Sequence, residues 1–369
     1  MEETPPAANV TLEQVTGLRQ HLSDLFMIEE MQLNTPQRGV VQFLGRMMCD
    51  PATCFETLKE RFEEHGYTPM LREAKGNQQV LLAMPFVIEP TESNVWINLV
   101  LFIATVLSTM FAGAASDPAF TGTELWLGLP FSLSIMLILG AHELGHFFAG
   151  RYHKVDVSLP YFIPLPISII GTLGAFIRMR APTLNRRALL DVGAAGPIAG
   201  MVFALPILIY GLMTSEMTNL PEGGYLLEGN SLLYSSLKYL IFGQMLPSGG
   251  VDVTLNQMAW AGWVGLLVTG LNLLPVGQLD GGHITFTLIG DAARLLYWPA
   301  IAALIGIGLL TGNALQWGIW AALLLLMRNR HAQPLDNVTR LDPARKMIAV
   351  ICLLLFILVF VPIPLTIVP

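Results

Sequence analysis

Residues 125–148 read LWLGLPFSLSIMLILGAHELGHFF, an apolar stretch that ends in His142-Glu143-Leu144-Gly145-His146. Through Ala141 it carries no charge, and its length and composition predict a helix. Residues four apart on a helix share one face at about 6 Å. Two imidazoles so placed can hold one zinc ion while Glu143 lies beside them as a base. The bland alternative is a pair of satisfied histidines near a membrane interface. With 7 histidines and 17 glutamates in 369 residues, chance places this motif in such a chain about 0.006 times. Ionisable groups inside an apolar span are costly and usually functional, which favours the chemical reading.

The surrounding chain is 53% hydrophobic and only 13% charged, where a soluble enzyme carries about a quarter. Residues 1–90 hold 13 acidic and 7 basic residues, and residues 91–369 hold 14 and 13. The chain therefore divides into a polar head, 11–90, and an apolar body, 91–369, with its core at 125–290. Uncharged or nearly uncharged runs at 94–115, 125–141, 188–213, 259–279, 300–310 with its flank from 295, 316–327 and 347–368 predict about six or seven membrane spans. Residues 159–177 are apolar but broken by Pro160, Pro164, Pro166, Gly171 and Gly174. Such backbone is allowed at membrane depth only as a re-entrant loop or hairpin buried against protein. Basic residues cluster at 151–154, 178–187 and 328–346, whereas Asp117, Glu124, Glu216, Glu222, Glu228 and Asp252 mark the opposite side. The positive-inside rule puts the basic loops and the head in the cytoplasm. The loop 213–253 is turn-rich, with a short helix predicted around 232–242.

Within the head, residues 1–10 read as a disordered tail. Helical spacing predicts a helix over 12–30, then a strand at 39–45, a helix at 51–65 and strands at 67–72 and 78–84. Strand, helix, strand, strand is half of a ferredoxin-like unit, so the fold class is a multi-pass α-helical membrane protein with a small soluble α+β domain. The head carries no catalytic pattern and reads as a regulatory or gating appendage. Cys49, Cys54 and Cys352 are too few and too scattered for a disulfide framework, and they fit a reduced compartment. A net charge of −7, no basic run longer than a pair and no phosphate-binding loop argue against nucleic acid or nucleotide as partner. Residues 1–10 are acidic and proline-rich, unlike a secretory signal or basic presequence, so a bacterial or already trimmed protein is expected.

Two histidines need a third protein ligand if a fourth position is to stay open for water. Asp280, in Asn272-Leu273-Leu274-Pro275-Val276-Gly277-Gln278-Leu279-Asp280-Gly281-Gly282-His283, reaches the same inner depth as His146 under the orientation above. His142 to His146, followed by Asn272 to Pro275 and Leu279 to Gly282 with Gly193-Ala194-Ala195-Gly196-Pro197 between them, resembles the intramembrane zinc metalloproteases of the site-2 protease (M50-type) family. Arg340-Leu341-Asp342-Pro343-Ala344-Arg345 and the head without a PDZ insertion are similar to its cyanobacterial and chloroplast branch, the ethylene-dependent gravitropism-deficient and yellow-green-like proteases. The resemblance is specific over 130–290 and implies His142, His146 and Asp280 as ligands of one Zn²⁺ per chain, with Glu143 as general base. It also implies Asn272 near the scissile carbonyl, a transmembrane protein as substrate, and a bacterial plasma or thylakoid membrane as location.

The segment holding Gly171 and Gly174 is the predicted wall of the water and substrate path, able to pair as a strand with an unwound substrate. Other residues take structural readings. His153 reads as an interface residue, His283 as a support of the ligands or a helix start, and Asp191 as a charge partner of Arg186 and Arg187. Gly193, Gly196 and Gly200 permit close helix packing, and Trp260, Trp263, Trp298, Trp317 and Trp320 are interface anchors or packed aromatics. Two rival functions are a transporter, which predicts metal flux without a role for Glu143, and a non-catalytic scaffold in which zinc is structural or absent.

Overall fold

Thr11 accepts the Gln14 amide while the Gln14 side chain accepts the Thr11 amide, a capping box that starts α1 (Leu12–Leu22). The computed structural model describes residues 10–89, 94–221, 223–329 and 332–368, so of the tail predicted at 1–10 only Val10 falls within them. The helix predicted to run to residue 30 stops at Leu22, and β1 (Phe26–Leu33) follows, paired antiparallel with β2 (Val41–Met47). Apolar helical spacing ends at Phe26, and from there the backbone groups are satisfied by the β2 ladder instead.

Asp50 caps α2 (Pro51–Glu63), with Pro51 in the first turn where its missing N–H costs nothing. The strands β3 (Thr68–Glu73) and β4 (Gln79–Met84) complete a four-stranded sheet of order β1-β2-β4-β3. Neighbours are antiparallel, so β2 and β3 run the same way with β4 between them, a split β-α-β arrangement. Its core packs Phe43, Leu71 and Leu81 against Leu18, Leu22, Phe55 and Phe62. Cys49 and Cys54, predicted to be reduced, form a disulfide: the turn through Asp50 and Pro51 brings their Cα atoms to 6.4 Å.

Leu335 closes the core of the head from far along the chain, with Leu184 and Val338 beside it. Leu71 donates its amide to Leu335 O at 2.8 Å, and Asn337 returns one to Leu71 O at 3.0 Å. Leu335 and Asp336 also donate to Thr183 O and Leu184 O at 2.9 and 2.8 Å. Residues 335–337 thus cover the open edge of β3 and lace it to the segment before the body's third helix. Leu335→Ala is expected to cost about 2–5 kcal/mol, read as faster amide exchange confined to β3 and 335–337. Exchange unchanged there would show that the core does not need this side chain.

The body runs α3 (Val95–Ala115), α4 (Leu129–Tyr152), β5 (Tyr161–Pro164), β6 (Thr172–Phe176), α5 (Arg186–Met213), β7 (Glu216–Asn219), β8 (Tyr225–Glu228), α6 (Leu232–Phe242), β9 (Val251–Thr254), α7 (Gln257–Asn272), α8 (Asp280–Ile289), α9 (Tyr297–Leu310), α10 (Ala314–Met327), α11 (Pro343–Val359) and β10 (Leu365–Val368). At its centre α4, α5 and α7 meet at backbone distance. A Cβ added to Gly145 would lie 2.5 Å from Ala195 O, and one added to Gly262 would lie 2.7 Å from Leu208. Residues 161–176 form an antiparallel hairpin packed on α3.

Among the described residues four helical runs are long and apolar enough to cross a membrane: Val95–Ala115, Leu125–Tyr152, Arg186–Met213 and Asp280–Leu310. The sequence predicts six or seven. The last of the four is itself broken at Gly290, where φ is 62°. The remaining candidates α7, α10 and α11 have 16, 14 and 17 residues, about 21–26 Å at 1.5 Å per residue and short of a ~30 Å hydrocarbon core. The run predicted at 259–279 ends at Asn272 because Pro275 and the Gly277 turn, φ 63°, cannot continue it. That turn lets Asp280 begin a new helix rather than end an old one.

Candidate metal centre

His142 and His146 project from one face of α4, and Asp280 projects from the first turn of α8. His142 Nε2 and His146 Nε2 are 3.2 Å apart, and Asp280 Oδ2 lies 3.2 and 3.3 Å from them. A tetrahedral ion with bonds of about 2.0 Å needs donor separations of about 3.3 Å, so this donor set fits zinc without rearrangement. Two nitrogens and one oxygen leave a fourth position, the pattern of a catalytic rather than a structural site.

Both imidazoles are held by neighbouring elements. His146 Nδ1 donates to Val192 O at 2.7 Å on α5, which leaves the Nε2 lone pair facing the other two donors. Gly196 on α5 packs against the Nε2 end of the His146 ring and Gly200 against the Nδ1 side of the His142 ring. A Cβ at Gly196 would sit 2.0 Å from His146 Nε2, and one at Gly200 would sit 3.2 Å from His142 Nδ1. Asn272, the last residue of α7, places Nδ2 3.3 Å from His142 Nε2.

Glu143 is buried, 4% exposed, and shares with the ligands a cavity of about 760 Å³. Ile177, just past β6, also lines this cavity. Residues 175–183 form one wall of the cavity, and Asn272, Gln278 and His283 form another. Gln333, two residues before the Leu335 that seats in the head, also lines it. Gly171 lies at the hairpin tip against α3 and Gly174 within β6, both at positive φ, 76° and 102°. The hairpin residues that reach the cavity are Ala175 and Phe176.

Asp191 does not pair with Arg186 or Arg187. It receives His153 Nε2 at 2.8 Å and Arg345 Nη2 at 2.6 Å, whereas Arg186 binds the Asn337 side chain and Arg187 the Arg340 carbonyl. The first turn of α5 faces the 335–340 segment, and Asp191, more than a turn later, faces the ends of α4 and α11. Asp342 caps α11, and the Arg345 amide and guanidinium hold its carboxyl at about 2. The stretch 340–345 is therefore a helix start pinned to α5.

The seating of the imidazoles by Gly196, Gly200 and the Val192 carbonyl is not read from the sequence. The glycine spacing does signal close packing, but what packs there is an imidazole pair as well as a helix.

Residues 130–312 match the profile of Peptidase family M50. The chain is 29% identical over 360 residues to an Arabidopsis thaliana protein named "Probable zinc metalloprotease EGY2, chloroplastic", covering 92% of this chain and 63% of that one. It is 29% identical over 305 residues to an Oryza sativa subsp. japonica protein named "Probable zinc metalloprotease EGY1, chloroplastic", covering 74% and 52%. It is 30% identical over 305 residues to the Arabidopsis thaliana protein of that same name, covering 74% and 55%. The chain thus spans between half and two thirds of the length of these relatives. No solved structure matches it.

Proposed function

We propose that the chain, which matches the profile of peptidase family M50 over residues 130–312, is an intramembrane zinc metalloprotease of that family, hydrolysing peptide bonds within or near the spans of membrane protein substrates. The observation that carries the reading is the convergence of His142 Nε2, His146 Nε2 and Asp280 Oδ2 beside the buried Glu143. These three residues would hold one zinc ion per chain. Bound there, zinc supplies Lewis-acid polarisation of a peptide carbonyl and acidifies a water molecule. Glu143 takes the proton of the attacking water and passes it to the leaving amine. In this reading Asn272, whose Nδ2 is 3.3 Å from His142 Nε2, donates to the scissile carbonyl oxygen.

A helical substrate hides its backbone, so it must open before hydrolysis. The hairpin is read as a re-entrant element beside the site, with β6 and its continuation through Ile177 offering an extended edge to an opened segment. Valine at Gly171 or Gly174 would be strained at positive φ, and at Gly171 its Cβ would also meet Ser108 O at 2.6 Å. Both substitutions are expected to block cleavage and leave zinc content intact; unchanged cleavage would sink the strand-pairing role. The head, read as half of a ferredoxin-like domain, and the basic loops lie on the cytoplasmic side of a bacterial plasma or thylakoid membrane in this reading.

The test is cleavage of a model transmembrane substrate by the detergent-purified chain, with a chelator and then with zinc restored. Loss and recovery are expected. Cleavage indifferent to the chelator would overturn the metal's role.

A further inference from the structure

The segment between α5 and α7 buries an ionic cluster that the metal site does not use. Lys238 on α6 is fully buried, with its ammonium 2.9 Å from Asp252 Oδ1 and 3.4 Å from Glu228 Oε1. Tyr234, one turn earlier, donates its hydroxyl to Glu228 Oε1 at 2.9 Å. Two carboxylates thus face one ammonium, and a buried surplus charge is costly unless something compensates it. Burial pushes the Glu228 carboxyl up, while Lys238 opposes that shift. Asp252, 4% exposed, gives Oδ1 to Lys238 and to the Val253 amide, and its Oδ2 is buried without a hydrogen-bond partner.

Glu228 and Asp252 line a cavity of about 900 Å³, separate from the metal cavity, with apolar walls that include Phe111, Ile167, Leu226 and Trp260. With Lys238, a divalent metal ion would set three positive charges against the two carboxylates, whereas a single cationic head balances them. The combination of a buried acceptor and long apolar walls fits a side chain with an alkyl stem and a cationic head. Strands β7, β8 and β9 border the cavity, and among the described residues each belongs to a two-stranded sheet and keeps one edge for an extended chain. Ile167 sits in the turn of the hairpin whose other end lines the metal cavity. Thr172 to Phe176 is four residue steps, about 13 Å at ~3.3 Å per step.

We infer that this cavity binds a lysine or arginine of a peptide segment, its cationic head on Asp252 Oδ2 and its stem against Trp260 and Leu226. Identifying that peptide as the flank of a substrate's membrane span rests on the protease reading; the binding itself does not. The site would hold the flank at one end of the hairpin while the opened span lies at the other.

The test uses the full chain in detergent and a short end-blocked, dye-labelled peptide carrying one lysine, compared by fluorescence anisotropy with the same peptide carrying glutamine. The lysine peptide is expected to bind about tenfold more tightly, with the preference kept in Glu143→Gln and lost in Asp252→Asn. In cleavage assays, lysine to glutamine in the substrate flank should raise KM about tenfold and leave kcat unchanged. Equal binding of the two peptides to the native chain overturns the inference, as does a preference that survives in Asp252→Asn. The peptide comparison is made on one native protein, so a poorly folded variant cannot decide it. A lysine preference without any cleavage supports this site and counts against the protease reading, and cleavage without the preference does the reverse.

Discussion

Glu143→Gln is expected to lower cleavage of a transmembrane substrate by ~10²–10⁴-fold, the usual range for a positioned general base, while zinc content stays at the native level. The amide keeps the size of the side chain but loses the capacity to accept a proton from water. None of the three converging donor atoms belongs to Glu143, so the ligand set is untouched. Side-by-side metal analysis and cleavage assays separate this from misfolding, which would lower both. Retained cleavage would remove Glu143 from the chemistry, and metal flux without cleavage by either protein would favour a transporter.

The second large effect comes from a residue that carries no chemistry. Gly196→Ala places a methyl group 2.0 Å from His146 Nε2, and the ring cannot retreat because its Nδ1 is tied to Val192 O at 2.7 Å. Disturbing the shell behind a metal ligand typically costs 10–100-fold in affinity or activity, and a direct clash with the donor nitrogen is expected to exceed that. Zinc and cleavage should be lost together, unlike Glu143→Gln, where they part. Gly140→Ala is the control, since on α4 a Cβ there meets nothing within 4 Å. It should leave both properties intact and add the helix-propensity gain of about 1 kcal/mol. A Gly196→Ala protein with native zinc content would mean that α5 does not constrain the ring.

What the sequence discloses depends on how local the signal is. His142 and His146 share a face because helical spacing dictates it, and a charged Asp280 after a long apolar run stands out against its surroundings. The helix break before Asp280 is marked by Pro275 and Gly277, yet the apolar run 259–279 reads as one span when only hydropathy is followed. At the α1–β1 boundary, Phe26 fits helical spacing, and the strand pairing that claims it depends on residues 41–47. The 335–337 segment gives no periodic signal at all. Its backbone–backbone bonds go to residues 71, 183 and 184, which no pattern in side chains records. The Asp191 pairing fails for a related reason: proximity in sequence favours Arg186 and Arg187, while the helix turns Asp191 toward His153 and Arg345.

The most direct measurement of the central claim is zinc X-ray absorption on the purified full chain. The expected spectrum shows only nitrogen and oxygen donors at about 2.0–2.2 Å, two of them imidazole, at one zinc per chain, with the signal lost in Asp280→Ala. A sulfur ligand, or a folded native chain that takes up no zinc, would contradict it.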